Sequence, residues 1–576
     1  MQHAKYGLPW LAAALLFFGA QSQAQAGVFV HLFEWSWDDV AQECENFLGP
    51  KGFSAVQVSP PQEHIQGSEW WTRYQPVSYT LNSRSGDAAA FANMVSRCNA
   101  VGVDVYADAV INHMANGSGT GTAGSSYDSS SMSYPIYSSN DFHSVCTINS
   151  GDYSSDAGRV RNCQLVGLPD LDTSAEYVQQ TIADYINGMI NLGVKGMRVD
   201  AAKHMAPSDI AGILGRINGD FYTFQEVIDL GGEAISSTEY TGQGDVTEFK
   251  YSANIGDVFK NQQLSYLSNF GEDWGFIGGT NAVVFTDNHD NQRGHGAGGS
   301  NVLTYQDGSL YNLANVFMLA WPYGYPKVMS SYAFSDSDQG PPSSAVYQNG
   351  EAQCGSDWIC EHRWSSIANM VAFRNETDGT GVNNWWDNGN NQIAFGRGAK
   401  GFVVINREGA ALSRTFSTNL PDGSYRNVAG DSSCATVSGG QVTLDVAAME
   451  AAALHTAAPC DGSGDDDSGS GGDTGTDVTV TFECQNGTTV SGQSVYVTGS
   501  VAALGNWDPA SAVILSPDNY PTWQGDVAIP ADTAVEWKCI KRDETDPTAD
   551  LVWQSGSNNA LAGQSAGSSV TATASF

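Results

Sequence analysis

Short apolar runs rich in β-branched residues recur along the first half of the chain, each followed by a stretch with helical spacing: GVFVHLF at 27–33, FSAVQVSP at 53–60, DVYADAVIN at 104–112, GMRVDAAK at 196–203, YTFQEVI at 222–228 and NAVVFTDN at 281–288. A strand that is apolar throughout must be covered on both faces, as in a parallel sheet sheathed by helices. Alternation sustained over ~300 residues fits an α/β fold of the (β/α)8 (TIM) barrel type better than an open sheet. A doubly wound sheet is the alternative, but no GxGxxG follows the first strand. In a barrel the C-terminal strand ends meet at one face, so Asp108, Asn112, Asp200, Glu226 and Asp290 are the first candidates for chemistry.

The remaining organisation follows from breaks in that rhythm. Residues 113–170 are too long for a simple loop and rich in Gly, Ser and Tyr, so they read as a subdomain inserted in a barrel spanning 27–380. Over 381–460 the helical spacing stops, and QIAFGRG, GFVVINR and QVTLDVAAM predict a small antiparallel β-sandwich. The segment 461–477, DGSGDDDSGSGGDTGTD, has no apolar side chain to pack and reads as a flexible linker. Beyond it, 478–576 carries the strand-like runs VTVTFEC, SVYVTGS and AVEWKCIK, a separate β-unit.

Compartment and charge narrow the function. Leu8–Ala20 is an apolar run too short to span a bilayer, and Ala24-Gln25-Ala26 is a small-x-small cleavage signal, so 1–26 reads as a signal peptide of a secreted, extracellular protein. Ten cysteines with no CxxC favour disulfides over metal thiolates. Spacing suggests Cys146 with Cys163, Cys354 with Cys360 and Cys434 with Cys460, leaving Cys44 with Cys98 and Cys484 with Cys539, although sequence alone does not determine connectivity. With 62 acidic against 25 basic residues, the net charge of −37 excludes nucleic acid and anionic membrane as main partners. The 15 Trp and abundant Tyr, Asn, Gly and Ser suit a neutral polar ligand such as a sugar.

The segments DAVINH (108–113), GMRVDAAKH (196–204), FQEVIDLGGEA (224–234) and FTDNHDNQRGHGAGG (285–299) resemble, in order, the four signature regions of the α-amylase family, glycoside hydrolase family 13. The likeness runs over most of 27–460. WWTRYQPVSY (70–79) and HMA (204–206) are similar in particular to the chloride-dependent, animal-type members. Glycosidic cleavage needs an acid to protonate the leaving oxygen and a carboxylate to meet the oxocarbenium-like centre. The resemblance implies Asp200 as nucleophile, Glu226 as general acid/base and Asp290 as a sugar-binding carboxylate that helps distortion. It implies retention, with the Asp200 and Glu226 carboxyls ~5–5.5 Å apart. Taken singly, such acids more often cap helices or pair with arginine. Three together, with Arg198 on the same strand face as Asp200, favour chemistry, the other option being that Arg198 pairs with Asp200 alone. The two roles require Glu226 protonated while nearby cations keep Asp200 ionised.

The same resemblance implies calcium, held by the side chains of Asn112 and Asp170 and the carbonyls of Arg161 and His204, tying the insertion to the barrel. Asp170 as a turn cap and His204 as a zinc ligand are the competing assignments. It implies chloride held by Arg198, Asn288 and Lys327, where Lys327 departs from the usual Arg and, lacking a bidentate fork, predicts weaker binding. Trp70, Trp71 and Tyr74 look like a sugar-stacking platform, with Gln75, His113, Arg198, Lys203, His204, His289 and His295 also at the substrate; a Trp pair is otherwise core. GHGAGG at 294–299 is either a plain loop or a cleft lid. In the tail, ALGNWDP (503–509), WKCIK (537–541) and VWQSGSNN (552–559) resemble the family 20 starch-binding module. Trp507, Lys538, Trp553 and Asn558 would form one sugar site and Trp523 part of a second, with exposure deciding between platform and core. The function so implied is a secreted endo-α-amylase, expected to be a monomer acting on starch and maltooligosaccharides. A transglycosylase or maltooligosaccharide-forming relative and a non-catalytic starch binder are the alternatives.

Overall fold

The computed structural model describes residues 27–460, 477–490, 492–507, 509, 512–530, 534–544, 549–562 and 569–576. The expected signal peptide, 1–26, and residues 461–476 of the expected linker lie outside the described residues, while Asp477 already opens a strand, Asp477–Gln485. The chain divides into two compact units between Gly464 and Asp465. No described helix is long and apolar enough to cross a membrane.

In the first unit, eight parallel strands close a barrel in chain order: β1 Phe29–Leu32, β2 Ala55–Val58, β3 Asp104–Ala109, β4 Gly196–Val199, β5 Tyr222–Gln225, β6 Asp245–Thr247, β7 Ala282–Val284 and β8 Tyr325–Ser330. Six of them are the runs expected from sequence. The other two escape pattern reading because β6 has only three residues and β8, YPKVMS, carries Pro and Lys within its apolar run. Helices cover the outside. Ala88–Ala100 starts where the Asp87 carboxylate accepts the Ala89 and Ala90 N–H groups. Glu176–Leu192 buries Val178, Ile182, Ile186 and Met189 on one stripe and stops at Gly193, whose φ of 102° favours glycine. Between β5 and β6 a single 3₁₀ turn, Ser237–Glu239, stands in for a helix.

The barrel interior explains where the acids sit. Side chains two apart on a strand share a face. The lower layer is aromatic, with Phe29, Tyr106, Phe224 and Tyr325 packed together. Two residues further on, the same faces carry His31, Asp108, Glu226 and Lys327, and Arg198 follows Gly196 in the same way. A charged layer therefore rests on an apolar floor and opens only toward the C-terminal strand ends.

The 113–170 insertion contains a hairpin, Ser118–Thr120 with Ser126–Asp128, and the helix Ala157–Asn162. Residues 382–455 form two four-stranded antiparallel sheets, as expected of a sandwich, with alternate burial along Gln441–Val446. The second unit is a two-sheet β-structure packed around Val480, Phe482, Val497 and Trp537. All five suggested cysteine pairs are disulfides.

Gly196 is required by the interior packing, since a Cβ there would lie 2.7 Å from the Tyr106 ring and 2.8 Å from the Tyr222 carbonyl oxygen. Gly196→Ala is expected to cost ~1–3 kcal/mol in denaturant unfolding through overpacking. A change within about 0.5 kcal/mol would mean that the aromatic floor has slack.

Candidate active site

Arg198 is the centre of the site. Fully buried at the end of β4, its Nη1 donates to Asp108 Oδ1 at 2.7 Å and to Asp200 Oδ1 at 2.8 Å. Its Nη2 lies 2.5 Å from Glu226 Oε1, an ion pair without hydrogen-bond alignment. Glu226 Oε2 accepts the Ala201 N–H at 3.0 Å, and Ala201 is held in the left-handed region with φ 50°. Tyr74 donates its hydroxyl to Asp108 Oδ2 at 3.0 Å. Thus Asp108, from β3, is the strand-end acid that joins Arg198 and Tyr74 behind the two acids proposed for chemistry.

Asp200, Glu226 and Asp290 open on one cleft of about 620 Å³. Trp70, Trp71, Tyr74, Gln75, His113, Lys203, His204, His289 and His295 line the same cleft, as expected. Arg198 does not line it, so its expected contact with substrate is corrected to a place behind the acids, where it orders them. Trp70 is mostly covered and donates its indole N–H to Ser337 O. Tyr74 stacks on His289 with centroids 5.1 Å apart. Lys203 is tied to Glu233 and to the Ile228 carbonyl, and lies over the Tyr153 ring. Tyr153, Val166, Ile228, Glu233 and Asp338 also form the wall and escaped sequence reading. Val166 carries a usable signal only in three dimensions: it is 83% exposed with a φ of 45° at the cleft rim.

Electrostatics depart from expectation at Asp200. Arg198 pulls it down as foreseen, but burial, joined by repulsion from Glu226, Asp108 and Asp290, pushes it well above the ordinary carboxylate range. Burial likewise raises Asp108 and lifts Asp290 to about 7. Burial also lowers His113 and His204 to about 4 and His289 well below its usual value, so these rings are neutral hydrogen-bonding groups.

The expected cation set is consistent with oxygen chemistry. Asn112 Oδ1 and Asp170 Oδ1 are buried without a hydrogen-bond partner. His143, unforeseen from sequence, donates from Nδ1 to the other Asp170 oxygen at 2.7 Å. Joined by the expected Arg161 and His204 carbonyls, these oxygens would make a hard, charge-poor donor set suited to calcium. For the competing zinc assignment at His204, the described residues hold no group of three His, Cys, Asp or Glu that could share the ion. For the expected anion, Asn288 Oδ1 accepts the Asp290 and Asn291 N–H groups, which leaves its NH₂ as a donor. Lys327 is buried, makes no ion pair or hydrogen bond among the described residues, and is lowered to about 8 by burial and by Arg198. A buried ammonium without a salt bridge among the described residues and an amide donor are groups that an anion would satisfy.

In the second unit, the Trp507 and Trp553 rings lie 6.4 Å apart at 39°, with Trp553 39% exposed. Asn558, five residues after Trp553, is exposed and donates to Glu536 Oε2. Lys538 is 9% exposed and donates to the Gln554 and Gly556 carbonyls, so it braces the Trp553 turn from behind. Trp523 is corrected to core: only 5% exposed, it packs with Val495 and Trp537 and donates to Gly487 O. Tyr520, three residues before Trp523, is 54% exposed.

Comparison with known proteins agrees with this architecture. The chain matches the α-amylase catalytic domain over residues 52–223, the α-amylase C-terminal all-β domain over 383–459 and the starch-binding domain over 477–573. It is 48% identical to an α-amylase of Streptomyces violaceus over 92% of this chain and 90% of that protein. An α-amylase of Tribolium castaneum is 50% identical over 75% of this chain and 92% of its own. The crystal structure of α-amylase I of Eisenia fetida with maltohexaose superposes with a TM-score of 0.71 at 44% identity, over 76% of this chain and 99% of that one. A closed parallel barrel with acids at its C-terminal mouth, an all-β domain and a starch-binding module define a glycoside-cleaving enzyme, and this chain belongs to the α-amylase family. It is an α-amylase with an appended starch-binding domain.

Trp553→Ala is expected to lower adsorption to starch granules with little change in melting temperature. Trp523→Ala should instead cost ~3–5 kcal/mol of stability in the module, as a core truncation. Equal adsorption by Trp553→Ala and wild type would remove the ring pair as a sugar platform.

Proposed function

We propose that the protein is a secreted, retaining endo-α-amylase that hydrolyses internal α-1,4 bonds of starch. The observation that carries the reading is the pairing of Asp200 and Glu226 on one buried guanidinium at the floor of a single cleft. Glu226 passes its proton to the glycosidic oxygen as the C1–O bond breaks, and the Asp200 carboxylate takes C1 as a covalent glycosyl ester. Glu226 then removes a proton from water, whose oxygen displaces Asp200 and releases the sugar with its configuration retained. Asp290 accepts sugar hydroxyls, while the neutral His113, His204 and His289 and the braced Lys203 orient the ring. Export is supported by the 1–26 leader pattern and five disulfides.

Asn112 and Asp170 side chains with the Arg161 and His204 carbonyls would hold calcium, which supplies a cross-link between insertion and barrel. Arg198, Asn288 and Lys327 would hold chloride, whose charge offsets the two cations facing Glu226. Trp507, Trp553 and Asn558, braced by Lys538, would hold granular starch, with Tyr520 in place of Trp523 as a second contact. Holding the barrel near its insoluble substrate raises the local concentration of cleavable bonds.

Glu226→Gln is expected to lower kcat on soluble starch ~10²–10⁴-fold. Polarimetry or NMR of the first products should give the α-anomer, in mixed lengths; β-anomer would exclude retention, and cyclic or single-length products would exclude endo-hydrolysis. Chelation should lower the melting temperature by ~5 °C or more, calcium restoring it. Chloride-free buffer should move the basic limb of the kcat–pH profile to lower pH, because the Lys327 and Arg198 charges then act unopposed on the proton donor. An enzyme indifferent to both ions would remove both sites.

A further inference from the structure

Arg293 is a further buried cation beside the active site. The residue is 6% exposed, does not line the cleft and forms no salt bridge among the described residues. Its Nη1 donates to the His289 carbonyl at 3.0 Å, while Nε and Nη2 are buried without a hydrogen-bond partner. Instead of a carboxylate, four rings enclose the guanidinium: Phe334 at 4.2 Å from its carbon, Tyr332 at 4.8 Å, Phe33 at 5.0 Å and Trp70 at 5.9 Å. Ring faces attract a cation, most strongly where water is excluded. A desolvated charge held by ring faces and one carbonyl, without a salt bridge, is costly to bury.

Those surroundings are the third acid and the stacking platform. Arg293 ends a 3₁₀ turn, Asn291–Arg293, that begins directly after Asp290, and its own N–H bonds the Asp290 carbonyl at 3.0 Å. The His289 carbonyl that it grips belongs to the peptide joining His289 to Asp290, two cleft residues in succession. The rings come from three other parts of the barrel mouth: Phe33 after β1, Trp70 from the turn Trp70–Tyr74, and Tyr332 and Phe334 after β8. The Trp70 turn is tied to the loop after β8, since Trp70 donates to Ser337 O, and the Phe33 N–H donates to Ser330 O at the end of β8.

We propose that Arg293 is a positioning residue that locks the His289–Asp290 peptide to the Trp70 platform and supplies the positive charge facing Asp290 from outside the cleft. It reaches no substrate; it acts through Asp290, His289 and Trp70. The groups facing Asp290 are Glu226, Asp108 and Asp200, which repel its charge, Arg198 and Arg293, which favour it, and His289, whose Nε2 is 3.6 Å from Oδ2. Removing one of two cations raises the pH at which Asp290 ionises. The proposal rests on the role assigned to Asp290 above.

Arg293→Met and Arg293→Lys in the full-length enzyme test it, with kcat, KM and the acid limb of the kcat–pH profile measured on soluble starch and melting temperature measured in parallel. Arg293→Met should lose ~10–100-fold in kcat, the scale expected of a sub-ångström to 1 Å misplacement, with KM changed less than about threefold. Its acid limb should move to higher pH. Arg293→Lys keeps charge without the planar fork, so its acid limb should stay with wild type while kcat falls ~3–10-fold. A variant that melts earlier but matches wild type in kcat and acid limb overturns the proposal and makes the cage a packing element. If Arg293→Met does not fold, wild-type kcat in Arg293→Lys overturns it equally. Asp290→Asn run alongside separates the two failures, because a fully active Asp290→Asn removes the role of Asp290 itself.

Discussion

The site depends on one guanidinium. Asp108, Asp200 and Glu226 come from three adjacent strands, and carboxyls this close and this buried repel one another. Arg198 makes their gathering tolerable by placing a charge at the point where all three converge. The contact to Glu226 is short but misaligned, so the acid that must give up a proton is held by charge, with its directional hydrogen bond coming from the Ala201 N–H. Everything on the cleft side is built outward from that pairing: Tyr74 braces Asp108, His289 stacks on Tyr74, and Trp70 stands beside both.

What places the guanidinium is the layered barrel. Gly196 gives the Tyr106 ring its space, the aromatic floor excludes water from below, and strand periodicity turns the next residue inward as Arg198. The polar layer leaves several buried donors and acceptors without protein partners, among them both His31 ring nitrogens, both polar atoms of the Gln57 amide and Arg198 Nη2. Unsatisfied groups at this density belong to solvent or bound ions, and Lys327 adds an unneutralised charge to the same layer. The calcium ligand set has the same character on the flank, where Asn112 and Asp170 each present a bare oxygen.

Much of this was legible from sequence because it is local. The six recognised strands announced themselves by continuous apolar runs, and the acids by their places at the strand ends. Trp70, Tyr74 and His289 fell within contiguous motifs and do line the cleft. What was not legible depends on distance in the chain. Val166, Tyr153 and Asp338 reach the cleft from loops whose composition resembles any surface loop, and His143 finds Asp170 only because Phe142 and Leu171 pair. Trp523 and Trp553 look alike in sequence, yet one is core and the other is 39% exposed, a matter of which sheet face each strand turns outward. Arg198 was expected to touch substrate and Asp200 to be held low; burial placed the first behind the acids and outweighed its pull on the second.

The chain by itself determined the barrel class, the two appended β-domains and the identity of the strand-end acids, because periodicity and residue type are written in order along it. Tertiary structure alone decided which acids share a cation, which rings are bare, and that Arg293 sits caged beside the third acid. Charge and burial act through space, and their balance at any residue is set by neighbours that the linear order does not bring together.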